Sequence, residues 1–361
     1  MADVSLESLS RRFDSAQFAG IRDVSLHIPA GEILTVVGES GSGKTTLLRL
    51  VAGLDVSDSG IVRIGGRDVT CLAPRERDVA LVPQRPALYP HLSVHENLAI
   101  GLKLRRPRVS SAEMRDRVDQ AVAWLGLESL LQRQPFQLSG GEQQRVALGR
   151  VVVRRPAVWL LDEPFSHLDP ARKVQFRRDL LLLTARSPST ILFVTHDPDE
   201  ASCLGHHLAV LHQGRVIQVG RPADVFARPI SRPVAELLGT PAMNLVDGAL
   251  SHVGGSLLFA AADGTIRLLV PAELATRAEG RPVTLGIRPE ALHPAPPTSP
   301  VPVNMVRVPG WLVRSVERLF PRCLVTATLG TWAWSFWWDG DPPRVGDAMA
   351  LDFDFKRAVW F

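Results

Sequence analysis

Short, uninterrupted apolar runs set the pattern of the first 240 residues. Ile33-Leu34-Thr35-Val36-Val37, Val158-Trp159-Leu160-Leu161 and Thr190-Ile191-Leu192-Phe193-Val194 are each too short for a helix of usual length. Each is predicted to be a strand buried on both faces, because a half-exposed strand would alternate. Each ends in polar or glycine-rich residues: the Gly38 loop, Asp162-Glu163 and Thr195-His196-Asp197. Ligands of open α/β sheets gather at the carboxyl ends of strands, so three such ends imply one parallel sheet serving one ligand.

Between about 88 and 155 the period changes to that of helices. Ala112 to Leu127 carries apolar residues at 114, 118, 121, 122 and 125, the stripe of an amphipathic helix. After about 240 the pattern changes again. Turns rich in proline and glycine, including Pro294 to Pro302, separate short strand-like runs such as Val283–Ile287 and Cys323–Leu329. That predicts a small all-β domain. Trp332, Trp334, Phe336 and Trp338 repeat with a period of two and so share one face of a strand, as barrel core or dimer interface more readily than as a sugar-stacking platform. No internal repeat is evident.

At 361 residues and 39.5 kDa the chain is long enough for about two domains, each with its own core. The 45% hydrophobic and 22% charged content is that of a soluble globular protein, and no apolar run reaches the roughly 18 residues that cross a bilayer. The first residues carry acids and no cleavable apolar core, so a cytoplasmic location is expected. The net charge of +4 is small, the basic residues are scattered and there is one tyrosine, which argues against a nucleic-acid partner. Four of the basic residues are lysines, so Lys44 stands out against the arginines. Cys71, Cys203 and Cys323 lie far apart with no C-x-x-C pair and read as reduced structural thiols.

The chemistry is concentrated in three segments. Gly38-Glu39-Ser40-Gly41-Ser42-Gly43-Lys44-Thr45 fits G-x-x-x-x-G-K-[ST] and follows a predicted strand. In that context backbone N–H groups wrap phosphates, Lys44 reaches the β- and γ-phosphates of a nucleotide, and the Thr45 hydroxyl ligates Mg²⁺. Asp162 closes the second apolar run and is placed to hold the same Mg²⁺, with Glu163 beside it as the general base for an attacking water. Ser139 and Glu142 have the S-x-x-E spacing of a capping box. Gly140 and Gly141 between them leave the first N–H groups of a helix open to an anion.

A phosphate loop followed by Leu138-Ser139-Gly140-Gly141-Glu142-Gln143-Gln144-Arg145 resembles the ATPase subunits of ABC transporters, whose signature reads LSGGQ or LSGGE. The resemblance implies a P-loop α/β fold with a parallel-sheet core, an antiparallel β subdomain and a helical subdomain at about 88–155, together spanning 1–240. It assigns Gln84 to the Q-loop, touching Mg²⁺ and the attacking water, and His196 to the switch histidine at the γ-phosphate. Thr46 would contact the α-phosphate, Ser166-His167-Leu168-Asp169 would be the D-loop, and Phe13 would stack on adenine, although a phenylalanine there is also an ordinary core residue. Leu285-Gly286-Ile287-Arg288-Pro289-Glu290 matches the G-I-R-P-E motif of the accessory OB-like (TOBE) barrel of importer ATPases, here 241–361, with Thr240-Pro241-Ala242-Met243-Asn244 as the junction.

Several partners follow from that likeness. The signature of one copy would cap the ATP held by another, so a homodimer, or a pair with a homologous ATPase, is expected. It would sit beneath two permease subunits on the inner membrane face and serve a solute-binding protein, with Arg85–His91 as the permease docking surface. Ala87–His91, Gly101–Arg105 and the junction look most like the carbohydrate branch, which favours a sugar or sugar phosphate over ferric iron, polyamine or sulfate. One departure stands out. After Glu200, Ala201 and Leu204, the usual Asp-Arg is replaced by His206-His207, which touches local packing or communication to the C-terminal domain rather than hydrolysis.

Overall fold

A computed structural model describes residues 1–13, 20–104, 109–166, 168–186, 189–253, 256–271 and 282–361. His167, Arg105 and Arg106 lie outside the described residues. The chain divides into two compact units, Met1–Ala223 and Asp224–Phe361.

The first unit opens with strands β1 (Val4–Arg12), β2 (Gly20–Ile28) and β3 (Ile33–Val37), then helix α1 (Lys44–Ala52), β4 (Ser59–Ile64), β5 (Arg67–Asp68) and β6 (Val79–Val82). Helices α2 (Val94–Lys103), α3 (Ser111–Leu125) and α4 (Gly140–Arg154) follow. It closes with β7 (Val158–Asp162), α5 (Pro170–Arg186), β8 (Thr190–Thr195), α6 (Pro198–Leu204), β9 (His207–His212) and β10 (Arg215–Gly220).

The three apolar runs are β3, β7 and β8, and every residue in them is buried. They sit in a six-stranded sheet of order β10-β9-β3-β8-β7-β6, parallel except for β10. Side chains alternate between its faces. Leu34, Val36, Leu160, Leu192 and Val194 pack with α1 and with the antiparallel sheet β2-β1-β4-β5. Ile33, Trp159, Leu161, Ile191 and Phe193 pack instead with the helices of residues 94–183. Two apolar partners, one on each face, are why these strands carry no polar alternation.

The helical region contains the expected amphipathic helix with its buried stripe at Val118, Ala121, Val122 and Leu125. Ser110 caps it by accepting from the Glu113 N–H at 3.1 Å, and it ends at Gly126 with φ 60°, short of the predicted Leu127. The left-handed Gly126 turns the chain so that Leu127 inserts into the core as a separate contact. No helix among the described residues is long and apolar enough to cross a membrane.

Helices α7 (Pro222–Ala227) and α8 (Arg232–Leu237) lead into the second unit. Residues 224–240, placed before the boundary in the sequence reading, cluster with the β elements that follow. Buried Arg288 explains this: its guanidinium donates to the carbonyl oxygens of Leu238 and, at 2.9 Å, Phe226. Strands β11 (Asn244–Val253), β12 (Ser256–Ala261), β13 (Arg267–Val270), β14 (Pro282–Ile287) and β20 (Val359–Trp360) form one antiparallel sheet. The other contains β15 (His293–Ala295), β16 (Val306–Leu319), β17 (Arg322–Leu329), β18 (Trp332–Trp338) and β19 (Ala348–Phe353). Both sheets contribute to one core, which includes Phe259, Leu285, Trp311, Trp334, Phe336 and Phe353. The aromatic stripe of β18 is therefore core, with Trp334 stacked on Trp311 at 4.6 Å between ring centroids. Pro294, expected in a turn, lies in the short edge strand β15, a position where its missing N–H costs no internal ladder bond.

Trp334→Ala should destabilise the second unit by about 3–5 kcal/mol, through lost burial and the cavity left beside Trp311. Calorimetry should show that unit's unfolding transition shifted down. An unchanged transition would mean that the stacked pair does not organise this core.

Candidate active site

The loop 38–43 leaves the end of β3 and enters α1 through Gly43, whose φ of 106° is unfavourable for a side chain. A β-carbon there would approach the Gly20 carbonyl oxygen to 2.6 Å, and one on Gly38 would reach the Leu211 carbonyl oxygen at 2.3 Å. The loop is thus pressed against neighbouring backbone, while its other side and the first amides of α1 stay free for an anion. The Ser42 hydroxyl is buried without a hydrogen-bond partner among the described residues. Lys44 is 6% exposed and donates from Nζ to the carbonyl oxygens of Gly38 at 2.7 Å and Glu39 at 2.8 Å. Burial lowers its pKa more than Glu163, Asp162 and Glu39 raise it, so the cation is under-compensated. A cradle of open amides, an orphan hydroxyl and a cation short of anions fits a polyphosphate.

Across the sheet the carboxyl ends of β6, β7 and β8 bring Gln84, Asp162, Glu163 and His196 to the same place. Glu163 Oε2 accepts from Gln84 Nε2 at 3.2 Å and lies 2.8 Å from His196 Nδ1, while its Oε1 is 3.8 Å from Lys44 Nζ. Its backbone is left-handed, φ 43°, held by its own N–H on the Val194 carbonyl at 2.9 Å. Asp162 accepts from the Thr45 hydroxyl at 3.3 Å, and burial raises its pKa despite that bond and Lys44. A buried carboxylate in need of a cation, beside a hydroxyl, is a donor set that fits Mg²⁺. Thr46 is half-buried in the first turn of α1. Phe13 is half-buried one residue beyond the Arg12–Gly20 pairing, with the Arg11 guanidinium 5.2 Å from its ring.

The signature behaves differently. Ser139 and Glu142 do form the capping box: the Ser139 N–H donates to Glu142 Oε2 at 2.7 Å and Ser139 Oγ accepts from the Glu142 N–H at 3.4 Å. Those bonds hold the Glu142 carboxyl below its ordinary pKa. A β-carbon on Gly140 would meet nothing, whereas one on Gly141 would press Leu168 at 3.1 Å. Ser139, Gly141, Glu142, Leu168 and Arg172 line their own pocket of about 220 Å³. Among the described residues no hydrogen bond or ion pair joins them to the phosphate loop. Asp169 accepts from the Arg172 N–H at 3.0 Å at the start of α5.

Three supporting residues, Lys173, Asn97 and Arg150, carry no signal in the sequence motifs. Lys173 Nζ reaches Glu200 Oε1 at 3.0 Å and Asp197 Oδ2 at 3.3 Å. Glu200 Oε2 accepts from the Thr195 hydroxyl at 2.6 Å, and that hydroxyl accepts from the Asp197 N–H at 3.0 Å. Both neighbours of His196 are therefore anchored. The scarcity of lysine that marks Lys44 marks Lys173 equally. Asn97, fully buried, exchanges bonds with the Tyr89 backbone at 2.9 and 3.1 Å and donates to the Leu92 and Ser93 carbonyls, each at 3.0 Å. Arg150 donates to the Ala87 carbonyl at 2.6 Å and lies over the Tyr89 ring. The exposed segment after Gln84 is thus a built surface. In the His206-His207 departure, His206 Nδ1 accepts from the Ile33 N–H at 3.1 Å and His207 pairs with Glu32 at 2.8 Å.

The chain is similar to known proteins. A family profile described as ABC transporter matches residues 21–166, and one described as MalK OB fold domain matches 239–292. The sn-glycerol-3-phosphate import ATP-binding protein UgpC of Yersinia pseudotuberculosis is 43% identical over 307 residues, 85% of this chain and 84% of the relative. The protein of the same name from Bordetella avium is 41% identical over 367 aligned residues, 100% of this chain and 97% of the relative. The dimeric post-hydrolysis structure of the ATP-binding cassette MJ0796 with ADP and Pi matches with a TM-score of 0.55 at 29% identity, covering 61% of this chain and 98% of that one. Motifs, fold and kinship agree: the chain belongs to the ABC transporter family, as an ATP-hydrolysing importer subunit of the MalK type.

Proposed function

We propose that this ATPase powers the uptake of sn-glycerol-3-phosphate or a closely related sugar phosphate, as a dimer beneath two permease subunits on the cytoplasmic face of the membrane. The single observation that carries the catalytic part is the convergence of Gln84, Lys44 and His196 on the Glu163 carboxylate. The solute rests on relatives named for sn-glycerol-3-phosphate import, at 43% and 41% identity.

In this reading the glycine amides and Lys44 hold the triphosphate, Thr46 adds an α-phosphate contact and Phe13 stacks on adenine. Thr45, Asp162 and Gln84 would hold Mg²⁺, which would neutralise charge on the β- and γ-phosphates. Glu163 accepts the proton of the attacking water, and Gln84 and His196 orient that water toward the γ-phosphorus. Such a positioned base supplies about 10²–10⁴-fold in rate. Lys173 is a positioning residue that keeps His196 in place through Asp197 and Glu200. Ser139–Glu142 meets the γ-phosphate of a second copy, with Asp169 alongside, so ATP binding closes the dimer. The surface 85–91 passes that closure to the permease, which receives its solute from a binding protein.

Glu163→Gln should keep ATP binding and lose about 10²–10⁴-fold in hydrolysis, while Lys44→Ala should lose binding itself. Hydrolysis by Glu163→Gln at the parent rate would remove Glu163 as the base. Lys173→Ala should lower kcat about 10- to 100-fold with little change in KM, and Lys173→Arg should restore most of it. Equal loss in both would assign Lys173 to folding alone. Cells lacking the gene should lose uptake of labelled sn-glycerol-3-phosphate and regain it with the parent gene but not with Ser139→Arg. Undiminished uptake in the deletion would exclude this solute.

A further inference from the structure

The second unit carries a cleft of about 1190 Å³ that no step of ATP hydrolysis uses. Its lining includes the segment Phe226–Ile230, Arg288, Glu290 and the run Lys356–Phe361. Four basic side chains, Arg228, Arg288, Lys356 and Arg357, stand against one acidic side chain, Glu290, among the described lining residues. Lys356 and Arg357 are exposed, and their side chains make no hydrogen bond or ion pair among the described residues.

Arg288 is the unusual member. It is 6% exposed, with its guanidinium 4.0 Å above the Phe226 ring. Two of its nitrogens reach backbone carbonyls, but its Nε–H has no partner and no carboxylate lies within ion-pair distance among the described residues. Burial pushes it down to about 10, only partly opposed by Glu290, so it remains a cation at neutral pH. A buried charge without a counter-ion is costly, and an anion in the cleft would relieve it. The indole N–H of Trp360, on the same lining, is a second buried donor without an acceptor. Beside these donors stand apolar side chains, Leu250, Val283, Trp360 and Phe361.

We propose that this cleft binds a small amphipathic anion, with a phosphate or carboxylate head on the guanidinium and ammonium groups and an apolar or aromatic body on Leu250, Trp360 and Phe361. Guanidinium forks match the oxygens of such heads.

The test uses the full-length protein with its nucleotide site saturated by ADP, titrated calorimetrically with phenyl phosphate, inorganic phosphate and phenol. Phenyl phosphate should bind saturably at one site, with each of the other two about tenfold weaker or worse. Lys356→Ala combined with Arg357→Ala should weaken phenyl phosphate binding about tenfold and leave the ATP hydrolysis rate unchanged. Absence of saturable binding at millimolar phenyl phosphate, or equal affinity in the double variant, overturns the proposal. Binding of a glutamate-rich peptide without binding of phenyl phosphate also overturns it, by making the cleft a surface for a protein partner.

Discussion

Everything at the active site depends on four adjacent parallel strands. In the order β3-β8-β7-β6, Val37 pairs with Thr195, Val194 with Asp162 and Leu161 with Val82. Those pairs lie at the carboxyl ends, so the phosphate loop, His196, Asp162-Glu163 and Gln84 each begin one strand apart. With strands about 4.8 Å apart, four functional loops fall within about 15 Å. A slip of one residue would exchange the two packed faces, so the hydrophobic cores on both sides hold the register that the chemistry requires.

Within that frame the electrostatics are poised rather than satisfied. Lys44 is held below its ordinary pKa by burial, and Asp162 above its own, although the two lie close enough to influence one another. Each ion has fewer opposite charges around it than its burial demands, and the magnesium-bound triphosphate proposed for this site would supply both signs. Glu163 sits at a left-handed φ of 43°, a conformation that costs about 1–3 kcal/mol for a residue with a side chain. The Val194 carbonyl accepts its N–H, and the Ser166 hydroxyl donates to its carbonyl at 3.0 Å, so the turn is held from both sides.

Legibility in the sequence followed locality. The phosphate loop, the acid pair and the capping box are written in consecutive residues, because each works through one strand end or one helix turn. The three buried strands were equally readable, since burial on two faces removes the polar alternation of a half-exposed strand. What could not be read is what depends on distant partners. Lys173 matters through Asp197 and Glu200, and Asn97 through the Tyr89 backbone, pairings that only the fold creates. The helix end at Gly126 was missed because Leu127 kept the apolar pattern while leaving the helix. Pro294 was misassigned because an edge strand tolerates what a central strand forbids.

Two buried arginines show how such distant pairings divide structural cations from unfinished ones. Arg77, 4% exposed, uses all three guanidinium nitrogens: Nε on Leu72, Nη1 on Leu50 and Val51, and Nη2 on Thr70, each a carbonyl oxygen. Leu50 and Val51 lie in the last turn of α1, where the helix dipole is negative, so the charge is met without a carboxylate. Arg288 ties residues 226 and 238 to the β unit in the same manner but stops short, with Nε unpaired. Its place on a cleft shared with Lys356 and Arg357 puts that cation where the proposed anion would meet it.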